Sequence, residues 1–103
     1  MKPVRLRTAA KLELRKIATR YRDIDPELCD RFLNEVFRTL ALLERFPHGG
    51  SMVFGIVDAS IRQLPVPNFP YLIIFKRLPE RSSVLGVRHY RQEPVDWTMI
   101  EPE

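Results

Sequence analysis

Apolar residues recur at helical spacing through the first half of the chain. One run has the three- and four-residue intervals of a helix with a single buried face, formed by Ala10, Leu14, Ile17, Ala18 and Tyr21. Thr8 is placed to act as its N-cap, and we expect the helix to end near Arg22. A second helix is predicted to follow directly, because Asp25 can cap it and Pro26 suits the first helical position.

The second helix repeats the same spacing over a longer stretch. Its predicted buried stripe is Leu28, Phe32, Val36, Leu40 and Leu43, widened by Leu33, Phe37 and Ala41. Cys29 lies in this run, and we expect it to pack as a small apolar residue. Pro47, Gly49 and Gly50 end the helix. Two helices joined by so short a connection are predicted to form an antiparallel hairpin.

The second half of the chain has the spacing of strands. The stretches PVRL, IVDASIRQLPV, YLIIFK and SVLGVRHY are rich in β-branched and aromatic residues, and turn sequences separate the last three. YLIIF is apolar on both faces, so we place it between the other two strands of an antiparallel sheet. In the last strand, alternation puts Leu85 and Val87 on the core side and Gly86, Arg88 and Tyr90 on the other. His89 and Arg91 would follow the core side. We predict an α+β fold, a two-layer single domain over residues 1–103 with an N-terminal helical hairpin packed on a small antiparallel β-sheet.

Charge narrows the possible partners. The net charge is +4, and eight basic side chains precede Asp23 with Glu13 as the only acid among them. A basic surface of this kind favours an acidic partner, and a plain nucleic-acid-binding domain is one hypothesis it supports. We expect no metal site, because His48 and His89 have no cysteine or carboxylate at ligand spacing. With no signal peptide and no membrane-length apolar run, the expected location is the cytoplasm.

Three stretches carry a resemblance to a known family when they are taken in order. KLELRKIATRYRDIDPELCDRFLNEVFRTLALLERFPHGG, IRQLPVPNFPYLIIF and VLGVRHYRQEPVDW together resemble the ParE/RelE superfamily of toxins from type II toxin-antitoxin modules. The resemblance implies a toxin that arrests growth and is neutralised by a cognate antitoxin. RelE-like members cut messenger RNA on the ribosome, and ParE-like members poison DNA gyrase. The fold alone does not indicate whether a member cuts messenger RNA or poisons gyrase.

A ribonuclease of this family would need proton transfer and fixed positive charge around a phosphate. His89 suits proton transfer near neutral pH, Tyr90 could stack on a base or donate a proton, and the guanidinium groups of Arg62, Arg88 and Arg91 could bind phosphate. By resemblance, Arg62 takes the place of the strand arginine of RelE-like nucleases. His89, Tyr90 and Arg91 take the place of their C-terminal site residues. No cofactor is implied.

Other interpretations of the same residues stay open. His89 could be a hydrogen-bonded structural histidine, and Arg62 could form an ion pair with Asp58 or Glu80. Tyr90 and Trp97 could be packing or interface residues. The nearly uncharged HGGSMVFGIVDAS departs from the pattern of the nucleases and counts against ribonuclease activity, and the few candidate catalytic groups together with the C-terminal QEPVDW favour a gyrase poison. The antitoxin is expected to present an acidic or amphipathic segment, for which the candidate docking residues are Lys11, Arg15 and Arg22.

Overall fold

Two helices pack on one face of a five-stranded sheet. The computed structural model describes residues 1–103. The elements in chain order are β1 (Val4–Leu6), α1 (Thr8–Ile24), α2 (Pro26–Arg45), β2 (Ser51–Met52), β3 (Ile61–Pro65), β4 (Tyr71–Arg77), β5 (Ser82–His89) and a 3₁₀ turn (Trp97–Met99). The sheet order is β1-β5-β4-β3-β2, with β1 parallel to β5 and the other pairs antiparallel. The predicted α+β fold and the central place of YLIIF are therefore confirmed.

The two helix starts differ in how they are capped. The Asp25 side chain accepts a hydrogen bond from the Glu27 backbone N–H at 3.0 Å, as predicted for the start of α2. Thr8 is the first residue of α1 and not its cap, so that prediction was wrong. The Glu103 carboxylate instead accepts hydrogen bonds from the backbone N–H and the hydroxyl of Thr8. A distant acidic side chain thus satisfies an N–H group that the first turn of a helix leaves free.

The main core lies between the helices and the sheet. Its buried members from α1 are Ala10, Leu14 and Ile17, as the spacing predicted. Cys29, Phe32, Val36 and Leu43 are buried in α2, whereas Phe37 and Ala41 are exposed and do not widen the stripe. Tyr21 extends this core by contacting the rings of Phe32, Phe69 and Tyr71. No helix is long and apolar enough to cross a membrane.

An irregularity in β5 changes which residues face the core. Phe75 pairs with Val84 and its neighbour Ile74 pairs with Gly86, which leaves Leu85 as an extra residue. A β-bulge of this kind shifts the alternation by one position. Val84 and Val87 therefore face the helices, while Leu85 faces the opposite side of the sheet. The prediction that Leu85 and Val87 share the core face was wrong for this reason.

The second face of the sheet carries its own small core. Ile61, Ile74, Leu85 and Trp97 form this cluster, and they are covered by partly buried side chains from two irregular segments. Val53 and Ile56 come from the connection between β2 and β3, and Val95 and Ile100 come from the segment after β5. Trp97 is thus a packing residue. The two segments cover much of the sheet face that lies away from the helices.

Candidate functional site

Three of the predicted site residues form a column at the end of β5. His89 pairs with Tyr71 of β4, and their rings meet edge to face with centroids 5.4 Å apart. Tyr90 stacks on His89 at 4.9 Å with an interplanar angle of 17°, and the Arg91 guanidinium lies 5.4 Å from the Tyr90 ring centre. Tyr90 is 57% exposed. The column thus runs from the buried Tyr71 to the surface.

A hydrogen bond to the His89 ring favours one tautomer of its neutral form. Its Nδ1 accepts from the backbone N–H of Arg91 at 3.1 Å, and its own backbone N–H donates to the Gln92 Oε1 at 2.7 Å. An accepting Nδ1 places the proton of the neutral ring on Nε2. Such a ring has a donor to offer but no free acceptor nitrogen. In this geometry the Nδ1 lone pair is engaged by the Arg91 N–H, and the ring presents its Nε2–H as a donor.

Arg62 lies far from this column. It pairs with Phe75 on β4, whereas His89 pairs with Tyr71, four residues away along the same strand. This offset alone is roughly 13 Å at the rise of a β-strand. The Arg62 Nη2 donates to the Gly50 carbonyl at 2.9 Å. The alternative of an ion pair with Asp58 or Glu80 was wrong, because these acids pair with Lys76 and Arg81.

Arg77 joins Arg62 at the turn that follows α2. Its Nη2 donates to the carbonyls of His48 and Gly49, the second at 3.0 Å. Burial, and then the neighbouring charge of Arg62, hold the pKa of Arg77 below its ordinary value. The two guanidinium groups together bind three successive carbonyls and no carboxylate. This role of Arg77 could not be predicted from the sequence, because an arginine at the end of a strand usually points to water.

Arg88 completes the predicted set on the opposite face of the sheet from His89. Its strand partner Leu72 packs against the second-face cluster, and its Nη2 donates to the Glu93 carbonyl at 2.9 Å. The structure therefore brings together His89, Tyr90 and Arg91, and it separates them from Arg88 and Arg62. A single concave face lined by all five residues is not present.

A basic surface runs along the outer side of α1. Lys11, Arg15 and Arg22 are exposed, and none of them lies within ion-pair distance of an acid. A shallow groove of about 560 Å³ follows the same side, lined by Leu12, Arg15, Lys16, Thr19 and Arg20. Below this surface, burial and then the Tyr71 hydroxyl raise the pKa of Tyr21 above its ordinary value. The helix thus offers unpaired positive charge beside one half-exposed leucine.

The chain matches known proteins both by sequence and by fold. The sequence model described as ParE toxin of type II toxin-antitoxin system, parDE, matches residues 4–94. A solved structure titled "Chromosomal ParDE TA system from P. aeruginosa" has a similar fold, with a TM-score of 0.73 and 15% sequence identity. The match covers 86% of this chain and 96% of that one. No curated protein sequence is significantly similar. Because the family match spans nearly the whole chain, the protein belongs to the ParE toxin family and is the toxin component of a type II toxin-antitoxin module.

Proposed function

We propose that this toxin arrests growth by binding and poisoning DNA gyrase, without cutting RNA itself. The observation that carries the proposal is the separation of the candidate nuclease residues. Arg62 holds a backbone turn about four strand residues away from His89, and the His89 ring has no free acceptor nitrogen. Metal-independent RNA cleavage needs a base, an acid and a phosphate clamp around one scissile bond. Membership of the ParE family supports the same choice.

The test compares DNA damage with RNA damage in the same cells. The toxin is expressed from a tightly controlled promoter, alone and as the double variant His89→Gln, Arg91→Gln. These positions are suitable because Arg91 makes no side-chain hydrogen bond or ion pair and glutamine keeps an amide near the His89 ring position. Arg62 is left unchanged because its substitution would disturb the turn after α2. We expect growth arrest with DNA breaks and intact messages in both strains.

Purified gyrase gives the decisive readout. The wild-type toxin should inhibit supercoiling or trap cleaved DNA in a reaction that contains only gyrase, plasmid and ATP. New ends on translated messages, without DNA breaks and lost in the double variant, would instead establish the ribonuclease alternative. The ribonuclease alternative is tested because His89, Tyr90 and Arg91 form a column that reaches the surface.

For the antitoxin, we propose that an acidic or amphipathic segment binds the outer side of α1 at Lys11, Arg15 and Arg22. Support comes from their exposure and from the lack of acidic partners within the chain. Reversing all three charges should weaken the complex strongly and flatten its dependence on salt. Arg38→Glu on α2 is the control, because Arg38 is 72% exposed in its side chain and lies on the other helix. Unchanged affinity and salt dependence in the triple variant would refute this docking site.

A further inference from the structure

The connection between β2 and β3 presents two apolar side chains almost completely to solvent. Phe54 is 98% exposed and Val57 is 92% exposed. The segment is nevertheless well fixed, because the Ile56 backbone N–H donates to the Val53 carbonyl at 3.0 Å and Gly55 supplies the positive φ of +81° that this turn requires. Val53 and Ile56 pack below on the second-face cluster. Phe54 therefore stands at the apex of an anchored turn.

A groove of about 510 Å³ lies between this turn and the segment that follows β5. Its walls are residues 54–58 on one side and Pro94, Val95, Asp96 and Thr98 on the other. Asp58 and Asp96 are the only charged residues that line it. Both carboxylates are held in place, Asp58 by the Ser60 N–H and hydroxyl and Asp96 by the same groups of Thr98. We call Phe54, Val57 and this groove the Phe54 patch.

The charge of the patch differs from that of the rest of the molecule. The chain carries a net charge of +4, and the outer side of α1 is basic, yet the only charged side chains that line the groove beside Phe54 are the two carboxylates. Lys76 lies 4.0 Å from Asp58 and offsets part of one charge, but Asp96 has no basic partner. Phe54 and Val57 stand next to each other on a fixed backbone turn and beside an apolar-walled groove, and contiguous exposed apolar surface of this kind marks interaction sites in soluble proteins. Charge complementarity requires that the matching surface carry lysine or arginine around an apolar pocket.

We propose that the Phe54 patch is the surface through which the toxin contacts its protein target. On the function proposed above, on which this inference rests, that target is gyrase. Phe54 would insert into an apolar pocket of the enzyme, and basic side chains at the pocket rim would face Asp58 and Asp96. The patch lies on the second face of the sheet, whereas α1 packs on the first. Target and antitoxin would thus use opposite sides of the toxin.

The test measures target binding and antitoxin binding in matched variants. Phe54→Ser removes the anchor, and Phe37→Ser is the control because Phe37 is also exposed, at 56%, but lies on α2. Affinity for purified gyrase is measured by biolayer interferometry, together with gyrase inhibition and thermal unfolding. Phe54→Ser should lose at least about tenfold in affinity for gyrase, which is typical of a central aromatic anchor. Its melting temperature and antitoxin affinity should match the wild type. Phe37→Ser should bind gyrase normally.

A second variant examines the charges. Asp96→Asn keeps an oxygen that can cap Thr98 but removes the unpaired charge. It should slow association with gyrase at low salt by a few fold and have a smaller effect at high salt, because complementary charge acts mainly on encounter. An increase in the association rate would contradict the predicted basic rim.

The outcomes separate this inference from the proposed function. If the wild type poisons gyrase and Phe54→Ser does so equally well, the patch is not the target surface and the proposed function stands. If the wild type fails to bind gyrase, the proposed function is wrong. The role of the Phe54 patch is then judged by comparing growth arrest in the two variants. Arrest lost in Phe54→Ser and kept in Phe37→Ser would support a target contact with a different enzyme, and arrest kept in both would overturn it. An effect of Phe54→Ser on self-association alone, measured by sedimentation, would also overturn it.

Discussion

The arginine pair at the turn after α2 makes a sharp prediction about stability. Arg77→Met removes the guanidinium that binds the carbonyls of His48 and Gly49 and keeps a stem of similar length. Arg62→Met removes the single bond to the Gly50 carbonyl. Both changes leave carbonyl groups of one partly buried turn without their donors. Unsatisfied carbonyls of this kind are the main cost, because the methionine stem still fills the space.

The expected magnitude follows from the number of bonds. A hydrogen bond from a charged donor contributes about 1.5–3 kcal/mol, and exposure of the turn reduces this toward the lower end. Burial, and then repulsion from Arg62, already lower the pKa of Arg77 and offset part of the gain. We therefore expect Arg77→Met to lower the free energy of unfolding by about 2 kcal/mol and Arg62→Met by about 1 kcal/mol. For a chain of this size, about 2 kcal/mol corresponds to a fall of roughly 10 °C in melting temperature.

Urea unfolding followed by Trp97 fluorescence measures these differences. The control is Arg38→Met, which makes the same change at an exposed ion pair with Glu35 and should cost less than about 0.5 kcal/mol. If Arg77→Met unfolds at the same urea concentration as Arg38→Met, the carbonyl clamp has no stabilising role. A stable Arg62→Met variant that had lost toxicity would return Arg62 to the list of functional residues.

Three further predictions concern other parts of the fold. Gly86→Ala should destabilise the protein by about 1–3 kcal/mol in urea unfolding, because an added Cβ would lie 2.7 Å from the Trp97 ring. Hydrogen bonds from Ser60 hold the pKa of Asp58 below its ordinary value of 3.8, so the stability that Asp58 contributes is present above pH 3.8 and is lost as the pH falls through the lower pKa of the folded protein. Ser60→Ala removes one of these hydrogen bonds and should therefore reduce the loss of stability on acidification, measured by urea unfolding at a series of acidic pH values. His89→Gln should keep full toxicity in a growth assay, and a complete loss with an unchanged melting temperature would contradict the proposed function.

Local signals in the sequence predicted the helices well. Asp25 and Pro26 fix the start of α2 through a cap and a preset φ, both of which depend only on neighbouring residues. The buried face of α1 follows directly from the helical period. The family resemblance also came from the order of such local features, and it is confirmed. Helix starts and buried helix faces can be predicted without knowing which elements pack against each other.

Features that depend on distant contacts could not be predicted. The bulge at Leu85 depends on pairing with β4 and reverses the face of one apolar residue, and the neighbouring Gly86 is compatible with a bulge but does not show by itself that one forms. The cap of α1 comes from Glu103, and the position of Arg62 depends on a turn twelve residues earlier. The predicted catalytic residues His89, Tyr90 and Arg91 are neighbours in the sequence, whereas Arg62 is linked to them only by the family resemblance. Only the tertiary pairing shows that Arg62 and His89 lie opposite residues of β4 that are four positions apart.

The parallel pairing of β1 with β5 also constrains when the protein can fold. Val4 pairs with Ser82 and Leu6 with Val84, so one edge of the sheet joins segments from nearly opposite ends of the chain. Contacts between such distant segments form late, because closing a long loop costs entropy before any contact compensates for it. During synthesis, β1 and the start of α1 cannot form their native contacts with β5 until β5 has left the ribosome. The helical hairpin can form early, but the complete toxin surface is assembled only after almost the entire chain has been translated.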